Sequence, residues 1–81
     1  MILERRHKIK TIEEIRKELG INQKEYAEII GTNLRTYHER LKGVRLWSLE
    51  EVIKSAQLNG GEVSVMFEGR QLDITMKSRF F

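Results

Sequence analysis

Eighty-one residues, 40% of them hydrophobic and 33% charged, suffice for one small globular domain and not for two independent cores. The chain has no Cys, which excludes disulfides and thiolate metal sites, so helix packing or a second subunit must supply stability. No apolar run approaches the roughly 20 residues that span a bilayer, and no signal-peptide core is present; a cytoplasmic protein with no membrane partner is expected.

The formal net charge of +3 is unevenly placed. Residues 1–10 set Arg5, Arg6, Lys8 and Lys10 against Glu4 alone. Asn33 to Trp47 sets Arg35, Arg40, Lys42 and Arg45 against Glu39, whereas Thr11 to Gly31 is net acidic. Basic charge therefore gathers on the N-terminal arm and one internal stretch, the footprint expected of a phosphate-binding surface.

In chain order, Met1 to Lys10 reads as an arm with an apolar start. It is either a solvated charged tail or a basic arm whose Arg5 and Arg6 touch phosphates or enter a minor groove. Thr11 opens helix 1 with the capping box T-I-E-E; Ile12, Ile15 and Leu19 form its buried stripe, and Gly20 stops it. Asn22 caps a second helix, with Glu25 three residues on as its reciprocal partner. Tyr26, Ile29 and Ile30 make the apolar face of that helix, Ala27 permits a close crossing, and Gly31 closes it. Asn33 caps a third helix, Leu34 to about Lys42, ended by Gly43. At about 100° per residue, Leu34, Tyr37 and Leu41 fall on one side of it, while Arg35, His38, Glu39 and Lys42 fall opposite. One face is built to pack and the other to meet something polar. Two short helices joined by so tight a turn form a helix-turn-helix, whose second helix normally lies in the DNA major groove.

Here the chain resembles the phage repressor and Cro-like (XRE-type) DNA-binding domains. The resemblance rests on Leu19-Gly20-Ile21-Asn22-Gln23, then Ala27, Gly31, Thr36-Tyr37 and Gly43, and covers roughly Lys10 to Leu58. The family usually has an apolar residue where Arg40 stands and an acid where Leu41 stands, so Leu41 is expected to take over the core role. Resemblance and helix geometry together make Asn33, Leu34, Arg35, His38 and Glu39 the candidates for base contacts. Arg35 suits guanine O6 and N7, whereas Glu39 either accepts from cytosine N4 or orients Arg35 from one turn on. Asn33 is divided between capping and DNA, with the cap favoured. Gln23, Thr36, Lys42 and Arg45 are the phosphate candidates, Gln23 holding a position that the family uses for this purpose.

Val44 to Trp47 is a connector, and Trp47 is expected to pack in the core or at the hinge. Ser48 opens a fourth helix with S-L-E-E; its inner stripe is Leu49, Val52, Ile53 and Ala56, and Asn59-Gly60-Gly61 breaks it near Leu58. The period then changes to 2, which predicts a β-hairpin. A type II′ turn at Gly69-Arg70 would set Phe67 opposite Leu72, Val65 opposite Ile74 and Val63 opposite Met76, with Glu62 meeting Lys77 and Ser64 meeting Thr75. A lone hairpin is marginal in water, so these six apolar residues need cover from helices 1 and 4 or from a second subunit. A homodimer is the favoured expectation, with Phe80-Phe81 docking on the partner or fraying at the terminus.

The expected fold is mainly α (α+β): a helix-turn-helix domain of four to five helices over residues 11–59, preceded by the arm at 1–10 and followed by a hairpin at 60–81. His7 and His38 are isolated, and no HExxH, G-x-S-x-G or P-loop pattern occurs, so neither an enzyme nor a metal or other cofactor is expected. The chain reads as a dimeric, sequence-specific double-stranded DNA-binding transcriptional regulator, a repressor at an inverted repeat. The alternative is a protein-interaction module, an antitoxin or phage-encoded inhibitor that grips a protein partner with the hairpin.

Overall fold

A computed structural model describes residues 9–76. Four helices, α1 (Ile12–Leu19), α2 (Gln23–Ile29), α3 (Leu34–Leu41) and α4 (Leu49–Gln57), precede an antiparallel hairpin of β1 (Glu62–Phe67) and β2 (Arg70–Thr75). The helices begin where local chemistry satisfies their orphan N–H groups. Thr11 with Glu14, Asn22 with Glu25 and Ser48 with Glu51 each form a reciprocal capping box, and Asn33 Oδ1 accepts from Thr36 N at 2.9 Å. Both α2 and α3 end in Schellman motifs: Thr32 N donates to Ala27 O at 2.8 Å, and Val44 N donates to Glu39 O at 2.9 Å. The α2–α3 turn is therefore held by local backbone and cap bonds.

The core joins Ile12 and Ile15 of α1, Tyr26 and Ala27 of α2 with Ile30 at its C-cap, Tyr37 of α3, Val52 and Ala56 of α4, and Val63 and Val65 of β1. The rings of Tyr26, Tyr37 and Trp47 run in sequence edge to face, with centroids 6.0 and 5.6 Å apart. Tyr26 Oη meets Ser55 Oγ at 2.9 Å, so this buried hydroxyl has a partner. Leu19, Ile29 and Leu49, expected on the buried stripes, are exposed, Leu49 by 75%. Each is the first or last residue of its helix.

Leu41 does not take over the core position either; it is exposed, and Arg40 turns inward instead. The guanidinium of Arg40 can be buried because it meets the Glu51 carboxylate at 2.7 and 3.3 Å, their side chains being only 14% and 4% exposed. Glu51 Oε1 also accepts from Ser48 N at 2.8 Å. One carboxylate thus caps α4 and anchors α3. Burial pushes the Glu51 carboxyl up, but hydrogen bonds from Arg40 and Ser48 together with the charge of Arg40 outweigh it and hold it below the usual range.

The hairpin register lies two residues from the one expected. Val63 pairs with Ile74, Val65 with Leu72, Ser64 with Asp73, Glu62 with Thr75 and Phe67 with Arg70. The turn is centred on Glu68-Gly69, with φ of 51° and 78°, rather than on Gly69-Arg70. Left-handed backbone at both central positions is the type I′ pattern, and its twist matches that of the strands. A glycine serves at the second of them as well as it would at the first of a II′ turn. A two-residue shift leaves every side chain on its original face, so the apolar pattern alone could not separate the registers. Lys77, the expected partner of Glu62, lies outside the described residues.

The start of β1 is covered in cis. Val63 and Val65, expected to contact a second subunit, are buried against α1 and α4 of the same chain. On the other edge of β1, Ser64 N donates to Lys10 O at 2.9 Å, which ties the end of the arm into the domain. Ser64, expected opposite Thr75, is buried, and its Oγ accepts from Gln71 Nε2 at 2.6 Å. Among the described residues, no helix is long and apolar enough to cross a membrane.

Candidate nucleic-acid interface

The locked side of α3 decides which of its residues face outward. Tyr37 is fully buried and Arg40 is tied to Glu51, so Leu34, Arg35 and Leu41 lie on the exposed side, with Lys42 and Arg45 just beyond the helix. Arg35 is wide open to solvent, its side chain 90% exposed. Its Nε stands 3.7 Å from Glu39 Oε2, while Arg45 Nε lies 3.1 Å from Glu39 Oε1. Glu39 thus sits between two guanidiniums and can orient both. So open an ion pair contributes little to stability, at most about 1 kcal/mol. Arg35 and Arg45 keep most of their hydrogen-bonding capacity.

Asn33 is committed to its cap through the Thr36 N–H, and Thr36 is half-buried. Lys42 is the exposed C-cap of α3. Gln23 and His38, from different helices, come together at 2.8 Å between Gln23 Oε1 and His38 Nε2. The other end of the Gln23 amide, Nε2, donates to Glu13 Oε2 at 3.1 Å. Arg5 and Arg6 lie outside the described residues.

Glu13 was not among the expected site residues, yet it organises this end of the helix-turn-helix. Besides Gln23, it accepts from Tyr37 Oη at 2.7 Å and from Arg16 at 3.1 and 2.6 Å. One carboxylate therefore binds α1, α2 and α3 together. Burial opposes its charge, but hydrogen bonds from Arg16, Tyr37 and Gln23 prevail and hold its carboxyl below the usual range. Burial and the adjacent Glu13 charge push the Tyr37 hydroxyl far up, so it stays a neutral donor. Arg16 is further held by Ile21 O, which its Nη1 meets at 2.7 Å. The Glu13–Arg16 spacing of three residues was visible in the sequence; Gln23 and Tyr37 stand ten and 24 residues away, and no local pattern announces them.

Among the described residues, no group of three or more metal-ligating side chains assembles. A groove of about 480 Å³ opens between the C-terminal end of α3 and the hairpin turn, bordered by Lys42, Arg45, Trp47, Met66 and Gly69. A smaller apolar one, about 250 Å³, lies between the start of α4 and the hairpin, walled by Leu49, Phe67, Leu72 and Ile74. No protein-family model, curated protein or solved structure matches this chain.

Proposed function

We propose that this protein is a sequence-specific double-stranded DNA-binding regulator of the phage-repressor and Cro-like type, with α3 lying in the major groove. The observation that carries the proposal is α3 itself: a short, doubly capped helix whose inner side is locked by Tyr37 and Arg40 and whose outer side offers Arg35, flanked by Lys42 and Arg45. An outward arginine on such a helix suits guanine, and cations at its C-terminal end suit the sugar-phosphate backbone.

A two-fold assembly on an inverted repeat fits the same picture. Among the described residues β2 has no strand on its outer side, and Phe67 and Leu72 leave apolar surface exposed near half-buried Ile74 and Met76. That surface, with Leu49 and Met66, is also what favours the second reading, a hairpin that grips a protein partner.

Selection from a random duplex library, repeated across salt concentrations, tests the proposal. An inverted repeat with half-sites about 34 Å apart, bound with steeply salt-dependent affinity, is the expected result. Enrichment of no sequence would refute it. Deletion of the hairpin would open the core by removing Val63 and Val65, so dimerisation is better tested with Phe67→Ser/Leu72→Thr. Loss of dimer together with loss of operator affinity supports the regulator; unchanged DNA binding shifts the hairpin to the protein-partner reading.

A further inference from the structure

The chain Glu13–Gln23–His38 carries a direction that follows from which atoms can donate. The ionised Glu13 carboxylate only accepts, so the nitrogen end of the Gln23 amide must face it, as it does at 3.1 Å. The oxygen end then faces His38 Nε2 at 2.8 Å, and an amide oxygen also only accepts. His38 Nε2 must therefore carry the hydrogen. In a neutral imidazole this leaves Nδ1 as the acceptor, and among the described residues Nδ1 has no partner. Glu13 can impose this order because it is itself fixed: Tyr37 Oη and two Arg16 nitrogens hold its carboxylate in place.

We infer that Glu13 is a positioning residue that acts through Gln23 to hold His38 as the Nε2–H tautomer, so that neutral His38 meets its ligand as a hydrogen-bond acceptor through Nδ1. Resting on the DNA-binding proposal, the inference names the ligand chemistry: an exocyclic amine in the major groove, adenine N6 or cytosine N4, rather than guanine O6 or thymine O4. It also reassigns Gln23. Both ends of its side chain are engaged within the protein, so it relays orientation, and one hydrogen of its amide nitrogen is left for a phosphate.

The tautomer is read directly from ¹⁵N imidazole correlations of the full chain, recorded at rising pH until the shifts no longer change. The His7→Gln variant isolates the His38 signals. His38 is expected as Nε2–H. Gln23→Met, which keeps Arg16 and Tyr37 on Glu13, should reduce the Nε2–H excess by about tenfold, the worth of one hydrogen bond. Glu13→Gln lets residue 13 present an NH₂ group, so that Gln23 can turn over and His38 acquires the Nδ1–H form. A His38 already in the Nδ1–H form, or a tautomer ratio unmoved by both variants, overturns the inference; a loss of packing alone would leave that ratio unchanged. Repeating the duplex selection with Glu13→Gln should move the preference at one base pair per half-site, and an unmoved preference overturns the base-reading half. A chain that selects no DNA refutes the regulator proposal and that half with it, while the tautomer ratio still decides the relay.

Discussion

Replacing Arg40 by Met should be among the most damaging single changes on the surface of α3, although the sequence presents it as one more cation in a basic run. The guanidinium of Arg40 supplies two of the three described hydrogen bonds to the Glu51 carboxylate, at 2.7 and 3.3 Å; the third is the Ser48 N–H at 2.8 Å. With Arg40 removed, a carboxylate whose side chain is 4% exposed keeps its charge and loses its counterion. Breaking a buried pair in this way costs about 3–5 kcal/mol. For a domain of this size that is a large fraction of the total stability, and it should lower Tm by roughly 4–8 °C for each kcal/mol. Urea unfolding of Arg40→Met, Glu51→Leu and the double variant gives the coupling directly. The double variant should recover much of the loss, because the orphaned charge is gone, with a coupling energy of about 2 kcal/mol or more. A cost below about 1 kcal/mol for Arg40→Met, with additive effects in the double variant, would show that the pair behaves as a solvated surface contact and that Arg40 does not anchor α3.

The acid limb of the stability curve follows from Glu13 and Glu51, both held below their ordinary value of 4.5. A depressed carboxyl contributes stability that is present above its unfolded value and lost as pH falls through the folded one. The urea midpoint should therefore be level near neutrality and fall below about pH 4.5, and Glu13→Gln or Glu51→Gln should flatten that fall while lowering the plateau. Glu68 sits at φ 51° in the hairpin turn, so Glu68→Asn should stabilise the domain by roughly 0.5–1 kcal/mol; a loss of stability in thermal unfolding would count against the I′ turn. On selected duplexes, Arg35→Ala should relax specificity at one base pair per half-site at a cost of ~1–3 kcal/mol, while Lys42→Ala should weaken all sequences alike and reduce the salt slope by ~1. Equal losses on every sequence for Arg35→Ala would remove it from base reading.

Element boundaries were legible because their causes are local. Thr11, Asn22, Asn33 and Ser48 each reach an N–H three residues on, and Gly20, Gly31 and Gly43 each stand where a helix stops. The change to a period of 2 after Gly61 announced the hairpin for the same reason, since alternation is a property of neighbouring residues. The cap at Asn33 and the pairing of Glu39 with Arg35 were also within reach of spacing along one helix.

Periodicity could not say how far the apolar cover extends. Leu49 and Ile29 obey the helical pattern and remain exposed, each at the end of its helix. Nor could it choose between registers two residues apart, or decide that Val63 and Val65 would be covered by their own chain's helices. The outward face of α3 was set by charges that find partners across the fold. Arg40 points inward only because Glu51 of α4 lies opposite it, and Gln23 and His38 are ordered only because Glu13 of α1 stands behind them. Capping, termination and alternation act within a few residues and are written in the sequence itself; the pairing of buried charges depends on which helices meet, and only the tertiary structure decides that.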